Sequence, residues 1–493
     1  MSADTTATIV ERARAAQRMA AGWTQHEADR AVAAMGWHIH HARTARELAA
    51  LAFEETGLGD PEALYEIHRR RVLGTLRDLH GAATTGVLEH DPGRGLTRYA
   101  KPVGLIAAGV PATAPCSNIA CNALQMVKTR NAVVFTANPR SLRSAQRTVA
   151  VLRDALARVS APPDLVACLP VSGREPARRL MGAADLVVAV GGPGTVRRAY
   201  ESGTPALSAG VGNPVVIVDE TADPATAAAH IVRGAGYNNG TSCSSESNVL
   251  VQASLATTFA AELACRGAHL CTPAEGRRLR EALWPDNGAL DRTAAGQSPA
   301  ILAKRAGITL DRPAETTALA IPAERFDPAD PVFGEKLAPV LTLLRYDAFA
   351  TARDLVTELL RVAGLGHSCA IHTSRADRIE ALAESAPAAR VMVNQSTAHG
   401  NSGSFTNGLP FTSTVASGTW GGCSVSENVT WRHFLNTTTV SHPLAPRVPD
   451  VAELFAAYRG GAEEDSGTGA PRAAAGRNVP IDRSGGPRAH TTT

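Results

Sequence analysis

Between residues 103 and 218 the chain alternates short apolar runs with segments typical of helices, and this alternation is the strongest constraint on its fold. The first run, residues 103–108, has the length of one buried strand and ends at Gly109 and Pro111, which mark a turn. Repeats of strand, crossover helix and strand predict a parallel sheet covered by helices. Small ligands bind such sheets at the carboxyl ends of the strands, so a site is expected in the turns that follow them.

The composition is that of an ordinary globular protein and excludes several functional classes. The chain has 493 residues, enough for two or three domains, and 44% of them are hydrophobic. A formal net charge of +3 is too small to indicate a nucleic-acid or membrane partner, and no run approaches the ~20 apolar residues of a membrane span. Because the eight cysteines include no CxxC pair, neither a zinc ribbon nor a disulfide framework is predicted, and a reducing cytoplasm fits best.

Outside this region the residue pattern predicts further elements. The first hundred residues are mainly helical, with Thr24 as a helix N-cap, and end in a hairpin at residues 87–100 around an Asp-Pro-Gly-Arg-Gly turn. The second half repeats the alternation of strands and helices with longer loops. Residues 394–428 are rich in Gly, Ser, Thr and Asn and have too few apolar residues for a core, which is typical of a functional loop. Residues 460–493 lack large apolar side chains and are predicted to be disordered.

Cys243 lies in a polar turn of small residues, YNNGTSCSSE at residues 237–246. A structural cysteine prefers apolar neighbours, which raise the pKa of its thiol and make it inert. Here Gly240 lets the backbone approach a ligand closely, and the hydroxyl side chains around the thiol supply hydrogen bonds. The turn therefore favours a reactive thiol, although any one cysteine out of eight is more often structural than catalytic.

Three other segments carry candidate site residues, each with a plain structural alternative. The turn at Gly191 and Gly192 leads from a strand into a helix, where backbone N–H groups favour an anion, but any tight strand-to-helix turn has this pattern. Glu335 precedes a strand and could hold the two hydroxyls of a ribose, although an isolated glutamate is usually solvated. His367 lies between a helix and a strand, where it could act as a base or satisfy a loop carbonyl.

Six motifs, in the right order and spacing, resemble the aldehyde dehydrogenase superfamily, and within it the branch that transfers the acyl group to coenzyme A. The resemblance extends from about residue 5 to residue 445. The matching motifs are KPVGLI at 101–106, one motif in two parts at 189–197 and 202–207, NGTSCSSE at 239–246, EKLAPVL at 335–341, GHSCAIH at 366–372 and SGTWGGCSVSENV at 417–429.

The resemblance implies an aldehyde dehydrogenase-like α/β fold, with a Rossmann-type nucleotide-binding domain, an α/β catalytic domain and an oligomerisation hairpin. Residues 1–235 would form the nucleotide-binding domain, including the hairpin at 87–100, and residues 236–430 the catalytic domain. Residues 431–459 would return to the first domain and supply an oligomerisation strand, which implies a homodimer or homotetramer. The implied ligands are a small aldehyde, NAD or NADP as cofactor, and coenzyme A as co-substrate, with no nucleic acid and no membrane.

The resemblance also assigns roles to particular residues. Cys243 occupies the position of the family's nucleophile, and Glu335 that of its ribose ligand. His367 is a further candidate catalytic residue. Thr113 is a candidate substitute for the oxyanion-holding asparagine of the hydrolytic branch, because this chain has Pro-Ala-Thr where that branch has Pro-Trp-Asn. The remaining candidate cofactor-binding residues are Gly191, Gly192, Val196, Gly212, Asn213 and Pro339, and no metal site is predicted.

One departure from the hydrolytic branch points to the acyl acceptor. That branch carries a Glu-Leu-Gly-Gly stretch, whose glutamate activates the deacylating water, whereas residues 207–214 here read LSAGVGNP and contain no carboxylate. Water attacks a thioester slowly without a positioned base. A second thiolate is a better nucleophile and exchanges one thioester for another at little energetic cost. The missing glutamate therefore favours coenzyme A as the acceptor.

The sequence leaves the aldehyde and two rival functions open. Residues 54–59 and 74–79 are most similar to enzymes that act on sulfoacetaldehyde, with acetaldehyde and propionaldehyde as alternatives. A hydrolytic enzyme with His367 or Glu246 as its base would give a carboxylic acid, and product analysis with and without coenzyme A separates the two. A non-catalytic assembly subunit is the third hypothesis, against which the intact Cys243 motif argues. Cys423 has no identifiable partner in its glycine loop, and the other six cysteines are interpreted as small apolar fillers.

Overall fold

The computed structural model describes residues 3–285, 288 and 290–459. Its amino-terminal helices have the boundaries that local sequence signals dictate. Thr24 and Glu27 form a reciprocal capping box at the start of the second helix, which confirms the predicted N-cap. Gly57, in the left-handed conformation at φ 65°, ends the third helix, and Asp60 caps the fourth. These helices are α1 (Ala3–Ala21), α2 (Gln25–His40), α3 (Ala42–Thr56) and α4 (Pro61–Leu79).

The strands and the later helices then alternate along the chain. The strands are β1 (Val87–Asp91), β2 (Leu96–Pro102), β3 (Leu105–Val110), β4 (Ala132–Ala137), β5 (Val166–Cys168), β6 (Leu186–Val190), β7 (Ala206–Ala209), β8 (Val215–Val218), β9 (Asn248–Gln252), β10 (Ala268–Leu270), β11 (Ala318–Ala323), β12 (Val340–Tyr346), β13 (Cys369–His372), β14 (Val391–Val393) and β15 (Leu435–Ser441). The helices are α5 (Pro115–Lys128), α6 (Leu142–Arg158), α7 (Arg174–Ala183), α8 (Pro193–Tyr200), α9 (Pro224–Ala235), α10 (Ala256–Cys265), α11 (Pro273–Leu283), α12 (Pro299–Arg305), α13 (Phe349–Val362), α14 (Ala376–Ser385), α15 (Thr397–Gly400) and α16 (Val451–Arg459).

Two parallel sheets form the core. The first has five strands in the order β5-β4-β3-β6-β7, and the second has seven in the order β10-β11-β12-β9-β8-β13-β14. Their central strands are apolar and buried on both faces, as a sheet covered by helices requires. Strand β8 belongs to the second sheet, so the chain changes sheets between Ala209 and Val215. This is earlier than the predicted domain boundary at residue 235, because β8 and α9 look like one more strand and helix of the first domain in the sequence.

The predicted hairpin is present as strands β1 and β2, joined antiparallel in a separate three-stranded sheet. Strand β15 pairs antiparallel with β2 over its whole length, from Leu435 opposite Pro102 to Ser441 opposite Leu96. The outer strand β15 is almost entirely exposed, so its second edge has no partner strand among the described residues.

The stretch at residues 394–428 differs from its prediction as a polar loop outside the core. It contains the short helix α15, and most of its Ser, Thr and Asn side chains are buried. Several of the buried groups find partners locally: Asn428 Nδ2 donates to the carbonyl oxygens of Asn401 and Pro410, and Thr412 Oγ1 donates to that of Val429. Hydrogen bonding rather than apolar contact lets this polar segment pack inside the protein.

Residues 442–459 belong to a second compact unit, separate from the one that ends at Ser441. Its described residues include the helix α16. The predicted disordered tail, residues 460–493, lies outside the described residues. In the part of the chain that the structure describes, no helix is long and apolar enough to cross a membrane.

Candidate active site

The turn that carries Cys243 lies between α9 and β9, and its shape depends on three left-handed residues. Asn238 and Asn239 have φ values of 49° and 52°, and Gly240 has a φ of 70°. Asparagine tolerates this region better than other residues with a Cβ, and glycine adopts it without strain. The pair of asparagines before the glycine therefore reverses the chain just ahead of the thiol.

Contacts with two distant segments hold this turn in place. The Asn238 carboxamide oxygen accepts a hydrogen bond from the backbone N–H of Asp60 at 3.0 Å, and Asn239 Nδ2 donates to the carbonyl oxygen of Gly59 at 2.8 Å. On the other side, a Cβ added at Gly240 would overlap the main chain of Ala338. The turn is thus fixed between the α3–α4 junction and the segment that follows Glu335.

Residues 207–214 lie directly against the nucleophile candidate. A Cβ added at Gly212 would overlap the carbonyl oxygen of Cys243 and would lie 2.9 Å from its Cβ. The backbone N–H of Gly212 donates to Glu335 Oε1 at 3.0 Å. Gly212 therefore joins Cys243 and Glu335 in one site. Residues 207–214, where the hydrolytic branch has its glutamate, thus lie against Cys243 and contain no carboxylate.

The environment of the half-buried Cys243 thiol opposes its ionisation. Burial and then the negative charge of Glu335 raise the pKa of the thiol to about 11, while the positive charges of Arg71 and Arg390 act in the opposite direction. Burial also raises the pKa of Glu335, to about 7. At neutral pH the thiol is mainly protonated, and its ionisation depends on the charge state of Glu335.

Replacing Glu335 with glutamine is expected to increase the reactivity of Cys243, because the substitution removes a nearby negative charge. The rate of alkylation by iodoacetamide should rise several-fold, about 3- to 10-fold at pH 8, as the pKa of Cys243 falls. The difference should disappear below about pH 6, where the Glu335 carboxyl, with a pKa of about 7, is neutral in the unaltered protein. Glu324→Gln, at an exposed position, serves as the control. Slower alkylation of the Glu335→Gln protein at pH 8 would contradict this electrostatic coupling.

His367 is fully buried and connected to the nucleophile turn by a chain of hydrogen bonds. Its Nδ1 lies 3.0 Å from Ser368 Oγ, and Asn401 Nδ2 lies 3.3 Å from Ser368 Oγ and 3.0 Å from Ser244 Oγ. Burial and the charge of Arg390 lower the pKa of His367 to about 3, and its Nε2 is buried with no hydrogen-bond partner among the described residues. A histidine with so low a pKa is a weak base at neutral pH.

The remaining predicted site residues occupy different environments. Thr113 is half-buried in the turn between β3 and α5, and no hydrogen bond joins it to the Cys243 turn among the described residues. Asn213 is fully buried, and its carboxamide donates to the carbonyl oxygen of Phe333 at 2.7 Å and accepts from Asn248 Nδ2. Pro339 accepts a backbone hydrogen bond from Leu319. The side chain of Asn213 thus braces the Glu335 segment instead of being open to a ligand.

The Gly191–Gly192 turn provides an open helix end. Gly192 precedes α8, whose amino terminus has no side-chain cap, and a Cβ added at Gly192 would meet no atom within 4 Å. Val196, on the same helix, is buried. Pro193 has no N–H group, and those of Thr195 and Val196 donate to the carbonyl oxygen of Gly192. The backbone N–H groups of Gly192 and Gly194 are therefore the ones that can approach a pyrophosphate at this turn.

Glu246, an alternative base, and Cys423, an alternative nucleophile, both have hydrogen-bond partners in the structure. Glu246 is buried and accepts a hydrogen bond from the backbone N–H of Thr397 at 2.7 Å, while burial raises its pKa to about 7. Cys423, which had no identifiable partner in the sequence, is buried against the hydroxyls of Ser417 and Ser208, at 3.2 and 3.3 Å from its sulfur. Of the six cysteines interpreted as apolar fillers, Cys265 is exposed.

Several residues that support the site could not be predicted from the sequence. Arg390 is buried, has no acidic partner within the described ranges, and donates to the carbonyl oxygens of His367 and Ala416. Asn401 forms the link between Ser368 and Ser244. Lys336 is buried with its ammonium 2.7 Å from Ser247 Oγ, and burial lowers its pKa to about 7. The Asn-Asn-Gly sequence before the thiol is different, because asparagine and glycine favour left-handed backbone and so predict the turn at this position.

Comparison with known proteins places this site in a family. Residues 1–274 match the model of the aldehyde dehydrogenase family. The sulfoacetaldehyde dehydrogenase (acylating) of Bilophila wadsworthia is 38% identical over 443 residues, covering 89% of this chain and 95% of that protein. The chain therefore belongs to the aldehyde dehydrogenase family, and the predicted fold class is confirmed.

Solved structures agree with this assignment. The structure is similar to that of an acetylating aldehyde dehydrogenase from Geobacillus thermoglucosidasius, with a TM-score of 0.86, 31% identity, and coverage of 90% of this chain and 98% of that one. It is also similar to a propionaldehyde dehydrogenase from Rhodopseudomonas palustris with bound CoA and an acylated cysteine, with a TM-score of 0.79, 26% identity, and coverage of 89% and 97%.

Proposed function

We propose that this protein oxidises an aldehyde with NAD or NADP and transfers the acyl group to coenzyme A, with Cys243 as the nucleophile. The observation that carries the proposal is the contact of Gly212 with Cys243. It brings residues 207–214 against the thiol, and this segment contains no Asp or Glu to activate a water molecule. An acyl group on Cys243 would therefore persist until a stronger nucleophile than water arrives.

In the proposed reaction the Cys243 thiolate forms a bond to the aldehyde carbon, and the carbonyl oxygen becomes an oxyanion. The backbone N–H of Cys243 has no hydrogen-bond partner among the described residues and is available to donate to that oxyanion. NAD(P)+, held by Glu335 and the turn at Gly192, would supply the hydride acceptor, and loss of the hydride from the same carbon would leave a thioester on Cys243. The thiolate of coenzyme A then bonds to the acyl carbon, the bond to Cys243 breaks, and the Cys243 thiolate is regenerated. One aldehyde, one CoA thiol and one NAD(P)+ give one acyl-CoA, one NAD(P)H and one proton.

Among the described residues, the two bases proposed for the hydrolytic alternative are unsuitable. Glu246 is bonded through Oε1 to the backbone N–H of Thr397, and its Oε2 is buried away from water. His367 has a pKa of about 3. Glu335 is the carboxylate whose charge acts on the thiol, but one of its oxygens is held by Gly212. We assign Glu335 to the ribose of the nucleotide instead, because its Oε2 has no hydrogen-bond partner among the described residues. The open turn at Gly192 would hold the pyrophosphate.

Sulfoacetaldehyde is the aldehyde we propose, with acetaldehyde and propionaldehyde as alternatives. The support is the extent of the match to the Bilophila wadsworthia sulfoacetaldehyde dehydrogenase, which spans nearly the whole of both proteins. We further propose a homodimer or homotetramer, in which the free edge of β15 pairs with another subunit.

The function is tested by following NAD(P)H formation with sulfoacetaldehyde, acetaldehyde and propionaldehyde, each with and without coenzyme A. We expect steady turnover only with coenzyme A, and acyl-CoA as the product. Without it, NAD(P)H formation should stop after about one equivalent per Cys243, because the thioester cannot be released. Equal steady rates with and without coenzyme A, with a carboxylic acid as product, would establish the hydrolytic function instead.

A further inference from the structure

Helix α4 carries three consecutive arginines whose partners differ. Arg69 donates to the hydroxyl of Tyr65 at 3.1 Å. Arg70 donates to the carbonyl oxygen of His399 at 3.0 Å and to the hydroxyl of Tyr237 at 3.3 Å. Arg71 has neither a hydrogen bond nor an ion pair with any described residue, although it is half-buried like the other two. Successive residues of a helix point about 100° apart, so Arg71 faces a direction of its own.

Arg71 lies on the same face of α4 as Gly74. Gly74, three residues later, packs so tightly against Phe411 that an added Cβ would overlap its ring. The positive charge of Arg71 acts on the thiols of Cys121, in α5, and Cys243. Helix α4 packs against α5 and contacts the nucleophile turn, where Arg70 donates to the hydroxyl of Tyr237, so Arg71 lies on a helix that borders the site.

The guanidinium of Arg71 is partly sealed and unpaired. Its Nε is buried without any hydrogen-bond partner among the described residues. Its two terminal nitrogens are not buried in the same way and remain accessible to a ligand. A half-buried cation without a counter-ion loses hydration that no protein group replaces. An anionic ligand would supply the missing partner, and a guanidinium binds planar arrays of anionic oxygens with two parallel hydrogen bonds.

We infer that Arg71 recognises the anionic group of the substrate and so selects sulfoacetaldehyde over neutral aldehydes. This inference rests on the proposed function. Sulfoacetaldehyde has its sulfonate one carbon away from the carbonyl group, so a residue that binds the sulfonate must approach the thiol that attacks the carbonyl. Arg71, on the helix that Arg70 joins to Tyr237 of the nucleophile turn, offers free N–H donors.

The other cations near the site do not offer such donors. Both terminal nitrogens of Arg390 are engaged, with the carbonyl oxygens of His367 and Ala416 and the side chain of Asn428. The Lys336 ammonium is buried and bonded to Ser247. Of the two arginines whose charges act on Cys243, Arg71 is thus the one available to a ligand.

The inference is tested by comparing Arg71→Gln with the unaltered enzyme on sulfoacetaldehyde and on propionaldehyde, at saturating coenzyme A and NAD(P)+. We expect kcat/KM for sulfoacetaldehyde to fall by about 100-fold, mainly through KM, because a charge-assisted pair of hydrogen bonds is lost. For propionaldehyde the change should stay within about 3-fold. Arg71→Lys should recover part of the loss, and Arg69→Gln, which changes a neighbouring arginine of the same helix, should leave the preference unaltered.

A second measurement separates substrate recognition from other roles of Arg71. Isethionate, a sulfonate without an aldehyde, should protect Cys243 from iodoacetamide in the unaltered enzyme but not in Arg71→Gln, as measured by mass spectrometry of the Cys243 peptide. An equal loss of kcat/KM for both aldehydes would overturn the inference in favour of a general effect on the thiolate, and no loss would overturn it outright. If no aldehyde supports CoA-dependent turnover in the unaltered enzyme, the proposed function fails, whereas protection that depends on Arg71 would still identify the anion site.

Discussion

Replacing Cys243 with alanine is expected to lower CoA-dependent NAD(P)H formation by at least about 10⁴-fold, because hydride transfer requires the covalent adduct that only the thiolate forms. Incubation with aldehyde and NAD(P)+ but no coenzyme A should add an acyl group to the unaltered protein and none to the Cys243→Ala protein. Intact-protein mass spectrometry measures this addition directly.

The matched control is Cys423→Ser, at the other cysteine that lies in a glycine-rich segment. Cys423 is buried between the hydroxyls of Ser417 and Ser208, and a serine keeps a hydrogen-bonding group at that position. We expect this protein to remain acylated and active within about 3-fold. If instead Cys423→Ser abolished acylation while Cys243→Ala retained it, the assignment of the nucleophile would be wrong.

Gly212→Ala is expected to have the second largest effect, although it adds only one methyl group. The new Cβ would overlap the carbonyl oxygen of Cys243, and two main-chain segments cannot separate as easily as the end of a flexible side chain. The Cys243 turn must shift, and the backbone N–H of Gly212 must move relative to Glu335. A displacement of this kind should reduce kcat/KM by about 100-fold or more.

The control for Gly212→Ala lies two residues earlier in the same segment. A Cβ added at Gly210 would meet no atom within 4 Å. Gly210→Ala should therefore leave the melting temperature and the rate of Cys243 alkylation unchanged, whereas Gly212→Ala should change both. If the two variants behave alike in these measurements, steric contact with Cys243 is not the reason that position 212 is glycine.

Much of the fold was predictable from local patterns. The apolar runs that became the central strands of both sheets are continuous and flanked by turn residues, so their burial on both faces follows from composition alone. The hairpin followed from its Asp-Pro-Gly-Arg-Gly turn, and the N-cap at Thr24 from its own side chain. These features depend on residues that are close together in the chain.

The errors have a common origin in contacts between distant residues. Strand β8 has the same local pattern as the strands before it, and only its pairing with β9 and β13 assigns it to the second sheet. Residues 394–428 contain too few apolar side chains to predict burial, yet hydrogen bonds with one another and with the rest of the chain satisfy several of their polar groups inside the protein. Local composition predicts neither the strand pairing nor these hydrogen bonds.

By itself, the sequence determined the parallel α/β architecture, the polar turn around Cys243 and the absence of a carboxylate at residues 207–214, because each is a property of a short stretch of chain. The tertiary structure decided that Gly212 touches Cys243, that Asn401 connects the turn to His367, and that Arg71 has no partner in the part of the chain that the structure describes. Three adjacent arginines are indistinguishable in sequence. Their different roles arise because a helix points them in different directions and the surrounding fold supplies partners to only two of them.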